Sequence, residues 1–295
     1  MPSLLRALTL SFVFTGILQA QTGDRAAAIE RALDFIRHTA SNPAAFAEHG
    51  DDFMLCFYTI SRTAQDPKLR ASAAKMARDA ALKWRAANPH VPADADADTV
   101  GDLVAAAYIA DALGARDRAF KAELRTAARR FAAEDYLGFN AAREPPPPES
   151  RQRYALWNDA LVRTYFGDAY GIRLGASYAD VVQWLPQMRP YHAADSSEEF
   201  AMFYAVTHLV YTLNAYNTRR INPALLPDEV AFVKRMLVKS MGANDRDPEM
   251  VGEALDCLKA FGLENDPLVR QGGEFLLARQ LADGAWVSEK DTSLY

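Results

Sequence analysis

The chain has 295 residues, of which 50% are hydrophobic and 24% charged, and its formal net charge is -5. This composition excludes an intrinsically disordered chain, because there is enough apolar surface to bury a core. The acidic balance, without any block of basic residues interleaved with aromatic ones, predicts that nucleic acid is not a partner.

The N-terminus has the layout of a secretory signal peptide. Arg6 precedes an apolar run from Ala7 to Leu18, and Gln19 and Ala20 follow it. The run is shorter than the ~20 residues needed to cross a bilayer, and the small Ala20 suits a cleavage site. We therefore predict that residues 1–20 are a signal peptide and that no stable membrane anchor remains after its removal. The mature chain would be exported to the periplasm or the extracellular space.

Helical periodicity dominates the rest of the chain, and no run shows sustained strand alternation. Residues 21–137 form an N-terminal helical-hairpin region. Its predicted helices span 26–41, 53–62, 67–84, 98–113 and 116–135. The stretch 138–152, which contains four consecutive prolines from Pro145 to Pro148, is predicted to be an exposed loop or linker.

Residues 153–295 form a C-terminal helical-hairpin region. Its predicted helices span 154–166, 178–185, 196–216, 227–241, 247–261 and 266–280. The last three begin about 20 residues apart, so a helix pair recurs about every 40 residues, which is the period of a helical-hairpin array. The sequence therefore predicts an all-α fold, as an open array or a closed ring.

The stretch FLLARQLADGAW, 275–286, joins an apolar helix to a glutamine, a tight turn and a tryptophan. The glutamine side chain can bond backbone groups freed at a helix end, the glycine permits a chain reversal, and the tryptophan can pack on a neighbouring helix. The residues with this spacing are Gly272, Phe275, Leu276, Gln280, Gly284 and Trp286.

This spacing resembles the QW motif of the terpenoid cyclase and prenyltransferase superfamily, whose domains are α/α toroids. The resemblance implies an α/α toroid or an incomplete ring of helical hairpins, as one continuous domain after the signal peptide. The Asp-x-Asp-Asp motif of class II cyclases and the Gly-Cys-Gly-Glu-Gln thioester motif are absent from the sequence, so the resemblance implies no catalytic residue. Because a QW-type turn passes the chain to a next helix, either the ring closes on helices that precede the turn in sequence, or the sequence is truncated at its C-terminus; we favour the second interpretation.

The predicted helix 196–216 carries the strongest candidate for chemistry. Tyr204, His208 and Tyr211 share one of its faces by i, i+4 and i+3 spacing. On an inner helix of a toroid this face would line a central cavity, with His208 as a general base or a metal ligand. The alternative is a hydrogen-bonded core histidine surrounded by tyrosines.

A metal site is a second hypothesis. Glu253 and Cys257 lie four residues apart with Asp256 between them, and a carboxylate, a thiolate and an imidazole can hold zinc. Some toroid prenyltransferases use an Asp, Cys and His set, which this chain resembles in residue type only. The predicted ligands of zinc or another transition metal are His208, Glu253 and Cys257. The alternative is a packed Cys257 with Glu253 and Asp256 in solvent.

For the remaining polar residues, the sequence allows both a functional and a structural interpretation. His192 lies at a cavity mouth or on the surface, and Cys56 either pairs with Cys257 or stays a buried thiol. The acidic run at Asp94, Asp96 and Asp98 resembles the start of a calcium loop but lacks its glycine and its bidentate glutamate, so helix capping is favoured. Carboxylates for glycan cleavage cannot be paired by spacing; the candidates, with nearby aromatic residues, are Asp102, Asp111, Asp159, Asp168, Trp157, Tyr165 and Tyr170.

These observations leave three functional hypotheses. The first is an exported toroid protein that binds or processes a small molecule in a cavity near His208. The second is a non-catalytic structural or interaction protein on the same scaffold, and the third is a glycan-active lyase or hydrolase. Whether the chain is an enzyme is left open at this point, as are its oligomeric state and the choice between a small-molecule and a glycan ligand.

Overall fold

The computed structural model describes residues 22–148, 152–242 and 247–287. In these ranges the regular elements are helices, apart from one isolated bridge between Leu174 and Ala176. The predicted all-α class is thus confirmed. The predicted signal peptide, 1–20, and the end of the chain beyond 287 lie outside the described residues. Within the ranges given, no helix is both long enough and apolar enough to cross a bilayer.

The helices are numbered here in chain order. They are α1 (Thr22–Ser41), α2 (Pro43–Thr63), α3 (Pro67–Ala87), α4 (Ala97–Ala112), α5 (Arg118–Ala128), α6 (Ala133–Leu137), α7 (Arg153–Tyr170), α8 (Tyr178–Val182), α9 (Leu185–Met188), α10 (Ser196–Leu213), α11 (Pro227–Met241), α12 (Pro248–Ala260) and α13 (Pro267–Arg279). A short 3-10 helix, Pro223–Leu225, precedes α11.

The helices predicted to start at 227, 247 and 266 are observed, with Pro227, Pro248 and Pro267 as the first residues of α11, α12 and α13. Proline suits this position because its fixed φ is helical and its missing N–H would have no helical partner. The Asp247 side chain accepts hydrogen bonds from the first turn of α12, and the Asp266 side chain does so for α13. These caps explain why the chain turns helical at these points.

Three predicted helices differ clearly from the observed ones. The helix expected over 178–185 is divided into α8 and α9. The helix expected over 116–135 is broken into α5 and α6, because the Ala132 N–H donates to the Asp135 carboxylate at 2.7 Å and starts a new helix. The helix expected to begin at Phe53 begins ten residues earlier in α2. It is kinked at His49, whose φ of -127° and ψ of 21° are not helical.

The chain divides into two compact units. Unit 1 contains the described residues up to Ala80 and those from Asn214 onward. In it α2 packs on α1, α13 packs on α1, and α11, α12 and α13 pack on one another. Its core includes the fully buried Met54, Ile60 and Phe232.

Unit 2 spans Ala81–Leu213. Its central helix is α7, which packs on α4, α6, α8 and α10. The largest fully buried side chains of unit 2 include Trp157 on α7, Phe120 on α5 and Phe203 on α10. The proline stretch predicted to be a loop lies inside unit 2 and has no regular structure from Pro145 to Pro148, although Pro146 is buried.

The turn after α13 is held by side-chain hydrogen bonds to backbone carbonyls, although the Trp286 indole bonds α13 itself and not the neighbouring helix expected from the sequence. The Gln280 side-chain amide nitrogen donates to the Ala28 carbonyl at 2.7 Å and to the Gly284 carbonyl at 3.0 Å. The Gln280 side-chain oxygen accepts from the Arg31 guanidinium at 2.6 Å. The Trp286 indole donates to the Leu276 carbonyl at 2.7 Å. The helix that receives the turn is therefore α1. The toroid arrangement itself stays a prediction.

Candidate functional site

The predicted face of α10 is an aromatic ladder inside unit 2. Phe200 packs on Tyr204 with ring centroids 4.6 Å apart, Tyr204 stacks on His208 at 6.0 Å, and His208 meets Tyr211 edge-on at 5.5 Å. Phe200 is 45% exposed, whereas His208 is 1% exposed. The ladder, defined by Phe200, Tyr204, His208 and Tyr211, thus leads from the surface to a buried imidazole.

One nitrogen of His208 has a partner and the other does not. Nδ1 lies 2.8 Å from the carbonyl oxygen of Tyr204. A carbonyl can only accept, so Nδ1 carries the proton, and in the neutral ring Nε2 presents a lone pair. Nε2 is buried and has no hydrogen-bond partner among the described residues. An orphaned buried acceptor costs about 1–3 kcal/mol, so this atom needs an explanation.

The His208 ring is neutral at physiological pH. Burial lowers the pKa of His208 to about 4, and the hydrogen bond to the Tyr204 carbonyl opposes that shift. No charged side chain contributes to the pKa shift within the part of the chain that the structure describes. A neutral imidazole without a charged partner can accept a hydrogen bond, but it lacks the second titratable group of an acid–base pair.

The backbone around His208 is held by hydroxyl groups. The Thr212 hydroxyl donates to the His208 carbonyl at 2.7 Å, which is the common back-bond of threonine within a helix. The Tyr178 hydroxyl lies 2.7 Å from the same Thr212 oxygen and reaches it from α8. These bonds fix α10 where the ladder reaches His208.

The predicted metal ligands are not gathered as a metal site. In the described ranges, no three His, Cys, Asp or Glu side chains are placed to hold a metal ion. His208 belongs to unit 2, while Glu253 and Cys257 belong to unit 1. The alternative that Glu253 and Asp256 are solvated is wrong, because both are fully buried, and the Asn217 amide donates to the Asp256 carboxylate. Cys257 and Cys56 are both buried, and no disulfide joins them.

Five of the residues proposed for glycan cleavage make hydrogen bonds within the protein. Trp157 is 0% exposed and its indole donates to the Val181 carbonyl at 3.2 Å, so its ring cannot stack on a sugar. The Tyr170 hydroxyl donates to Asp111 at 3.0 Å. The Asp168 carboxylate accepts from a backbone N–H at 2.8 Å. Burial raises the pKa of Asp159, which accepts from its neighbouring asparagine.

The acidic run before α4 caps a helix, as favoured. The Asp96 side chain accepts from the Thr99 N–H at 2.8 Å. Asp98 forms an ion pair of 2.7 Å with Arg163, and Asp94 is exposed. His192 is exposed, in agreement with its surface interpretation.

The sequence analysis missed two histidine–carboxylate pairs: His90 with Glu123, 3.0 Å apart, and a second pair at the kink of α2. Nδ1 of His49 lies 3.7 Å from the Asp52 carboxylate, which is 1% exposed, and Nε2 lies 3.7 Å from the exposed Glu48 carboxylate. The signal for this second pair was the segment EHGDD inside an apolar run, since the i, i+3 spacing places His49 and Asp52 on one face. The imidazole lies between the two carboxylates.

Comparison of this chain with protein-family models, with curated proteins and with solved structures gives no match. No relative therefore assigns a role to the ladder. The functional argument therefore rests on the chemistry of His208 and its neighbours. The resemblance of the turn at Gln280 to a QW motif stays a prediction.

Proposed function

We propose that the chain binds a small, neutral, hydroxylated molecule whose O–H donates to Nε2 of His208. The observation that carries this proposal is the buried Nε2 lone pair without a hydrogen-bond partner in the described chain. Buried polar atoms in native proteins are nearly always satisfied by protein, water or ligand. A donor placed at this atom would remove the desolvation cost of the acceptor and would be held in a nearly dry site.

The surroundings of His208 define the class of ligand. Tyr204 and Tyr211 place aromatic rings on either side of the imidazole, so an aromatic or otherwise apolar body suits the site. Because the ring is neutral, a charged ligand would gain no ion pair there and would lose its hydration. A phenol or an apolar alcohol therefore fits better than a carboxylate.

Binding is favoured over catalysis. A general base works best when its pKa is near the operating pH, and burial lowers the pKa of His208 to about 4. The remaining parts of the proposal are that the fold is a toroid of the terpenoid cyclase type and that the chain is exported. The contacts of Gln280 support the first, and the layout of residues 1–20 supports the second.

The proposal is tested by calorimetric titration with phenol and with anisole. The two molecules have similar ring size, but only phenol donates a hydrogen bond. We expect phenol to bind the wild-type protein at least about tenfold more tightly than anisole, because one satisfied buried acceptor is worth about 1–3 kcal/mol.

The matched variant is His208→Phe, which keeps an aromatic ring and removes the acceptor. We expect this variant to bind phenol and anisole equally. Equal binding of the two probes by the wild-type protein, or no binding of either, would contradict the proposed role of Nε2.

A further inference from the structure

A row of arginines follows the solvent side of α5 in unit 2. Arg118, Arg125 and Arg129 are all exposed. Together with Ala122 they follow i, i+4, i+3 and i+4 spacing, so their side chains share one face of the helix. The opposite face carries the buried Phe120 and Leu124. The three arginines, called here the α5 stripe, extend over about 16 Å at 1.5 Å per residue.

The positive charge of the α5 stripe is not neutralised by the protein. Within the described residues, Arg118, Arg125 and Arg129 form no ion pair and donate no side-chain hydrogen bond to another residue. The two nearby carboxylates are engaged elsewhere. Asp117 accepts from the Ala119 and Phe120 N–H groups, and Glu123 binds His90 and the Val91 N–H.

Helix electrostatics favour one end of the α5 stripe and disfavour the other. Arg125 and Arg129 lie at the C-terminal end of α5, where the helix dipole favours cations. Arg118 is the first residue of α5, and the exposed Arg116 lies just before it. The positive end of the helix dipole disfavours cations at these places. Lys121 and Arg125 are like charges at i, i+4, which is also unfavourable. The net charge of the chain is -5, so this local excess of positive charge is not a consequence of overall composition.

The surroundings of the α5 stripe identify the kind of partner. The exposed positions between the arginines are Ala119, Ala122 and Thr126, so no large apolar side chain is present to insert into a bilayer or to form the centre of a protein interface. No aromatic ring is presented for base stacking either, since Phe120 is buried and Phe131 packs edge-on against Tyr136. What remains is a row of guanidinium groups, which pair with carboxylate or sulfate groups.

We propose that the α5 stripe binds a linear polyanionic glycan, one that bears carboxylate or sulfate groups along its length. Each arginine would pair with an anionic group of a successive sugar. The stripe shares no residue with the ladder at His208, so the two proposals stand or fall separately.

The test measures binding of the full chain to polygalacturonate and to heparin, with neutral dextran as the uncharged comparison. We expect binding to both polyanions but not to dextran, with affinity that falls as salt is raised. The variant Arg118→Gln/Arg125→Gln/Arg129→Gln should bind about tenfold more weakly or worse, because three exposed ion pairs are lost.

The matched control is Arg62→Gln/Arg70→Gln/Arg78→Gln, which removes the same charge from exposed arginines on α2 and α3. It should bind like the wild-type protein, and circular dichroism melting checks that both variants are folded. Equal losses in the two variants would overturn the proposal. Binding of anionic lipid vesicles, an oligothymidylate or polyglutamate in preference to both glycans would overturn it as well.

Discussion

At the scale of single residues, His208 combines a satisfied nitrogen with an orphaned one. The Tyr204 carbonyl fixes the tautomer, and burial keeps the ring neutral. Its position on an aromatic face could be predicted from i, i+4 spacing. The protonation state could not, because it depends on desolvation by side chains that are distant in sequence.

The buried ring predicts a pH dependence of stability. The folded-state pKa of His208, about 4, is below the unfolded value of 6.5, so the unfolded chain binds the proton first as pH falls. The contribution of the neutral His208 ring to the free energy of unfolding is fully present above pH 6.5 and is lost as pH falls from 6.5 toward 4. Urea unfolding should show that the His208→Phe variant loses about 2 kcal/mol less than the wild-type protein between pH 7 and pH 5.

The control for this measurement is His38→Gln, since His38 is exposed. It should show the same pH dependence as the wild-type protein. An unchanged pH dependence in His208→Phe would mean that His208 is solvated or charged in the folded state.

At the scale of elements, the turn after α13 is held by hydrogen bonds from the Gln280 and Trp286 side chains. The chain reversal at Gly284 and the use of the Gln280 amide as a backbone donor follow from residue type and spacing. The identity of the receiving helix does not, because Gln280 and Ala28 are 252 residues apart and no local pattern encodes that pairing. The His49–Asp52 pair was missed for a different reason: its i, i+3 spacing is visible in the sequence, but the kink of α2 appears only in the backbone angles.

Gly284 is predicted to be the least replaceable residue of this turn. Its φ is +99°, and a Cβ atom there would lie 2.3 Å from the Arg31 carbonyl oxygen. Gly284→Ala should therefore lower the free energy of unfolding by about 3 kcal/mol or more, from strain and overlap together.

Gly114→Ala is the matched control, because Gly114 has a φ of +91° with no atom within 4 Å of the added Cβ. It should cost only the backbone strain of about 1–2 kcal/mol. Equal losses in the two variants, measured by urea unfolding, would show that the turn does not press against α1.

The Gln280 side chain predicts a second effect on unit 1. Gln280→Ala removes the donor to the Ala28 and Gly284 carbonyls and should cost about 2 kcal/mol. Arg31→Ala removes only an exposed contact and should cost less than about 1 kcal/mol. Thermal unfolding that ranks Arg31→Ala as the more harmful change would contradict the central role of the amide donor.

At the scale of the whole molecule, the helical class and most helix starts could be predicted from proline, aspartate and apolar periodicity. The division into two units could not be. Unit 1 joins residues from both ends of the described chain, and its boundary within α3 carries no glycine or proline signal. The burial of Glu253 and Asp256 was likewise hidden, because acidic residues on a helix are usually solvated.

The cysteines predict a whole-molecule property that is simple to measure. Cys56 and Cys257 are 2% and 0% exposed, and they form no disulfide. Ellman's reagent should therefore detect essentially no thiol in the native protein and both thiols in denaturant. Failure to detect thiols in denaturant would show that the two cysteines are oxidised.

The most direct measurement is nitrogen NMR of histidine-labelled protein, which follows the Nε2 resonance of His208 as phenol is added. We predict an unprotonated Nε2 that accepts no strong hydrogen bond in the free protein and shifts toward the hydrogen-bonded position with phenol but not with anisole. A resonance already at the hydrogen-bonded position and unmoved by phenol would show that water satisfies the atom. It would contradict the proposal that His208 is a ligand site.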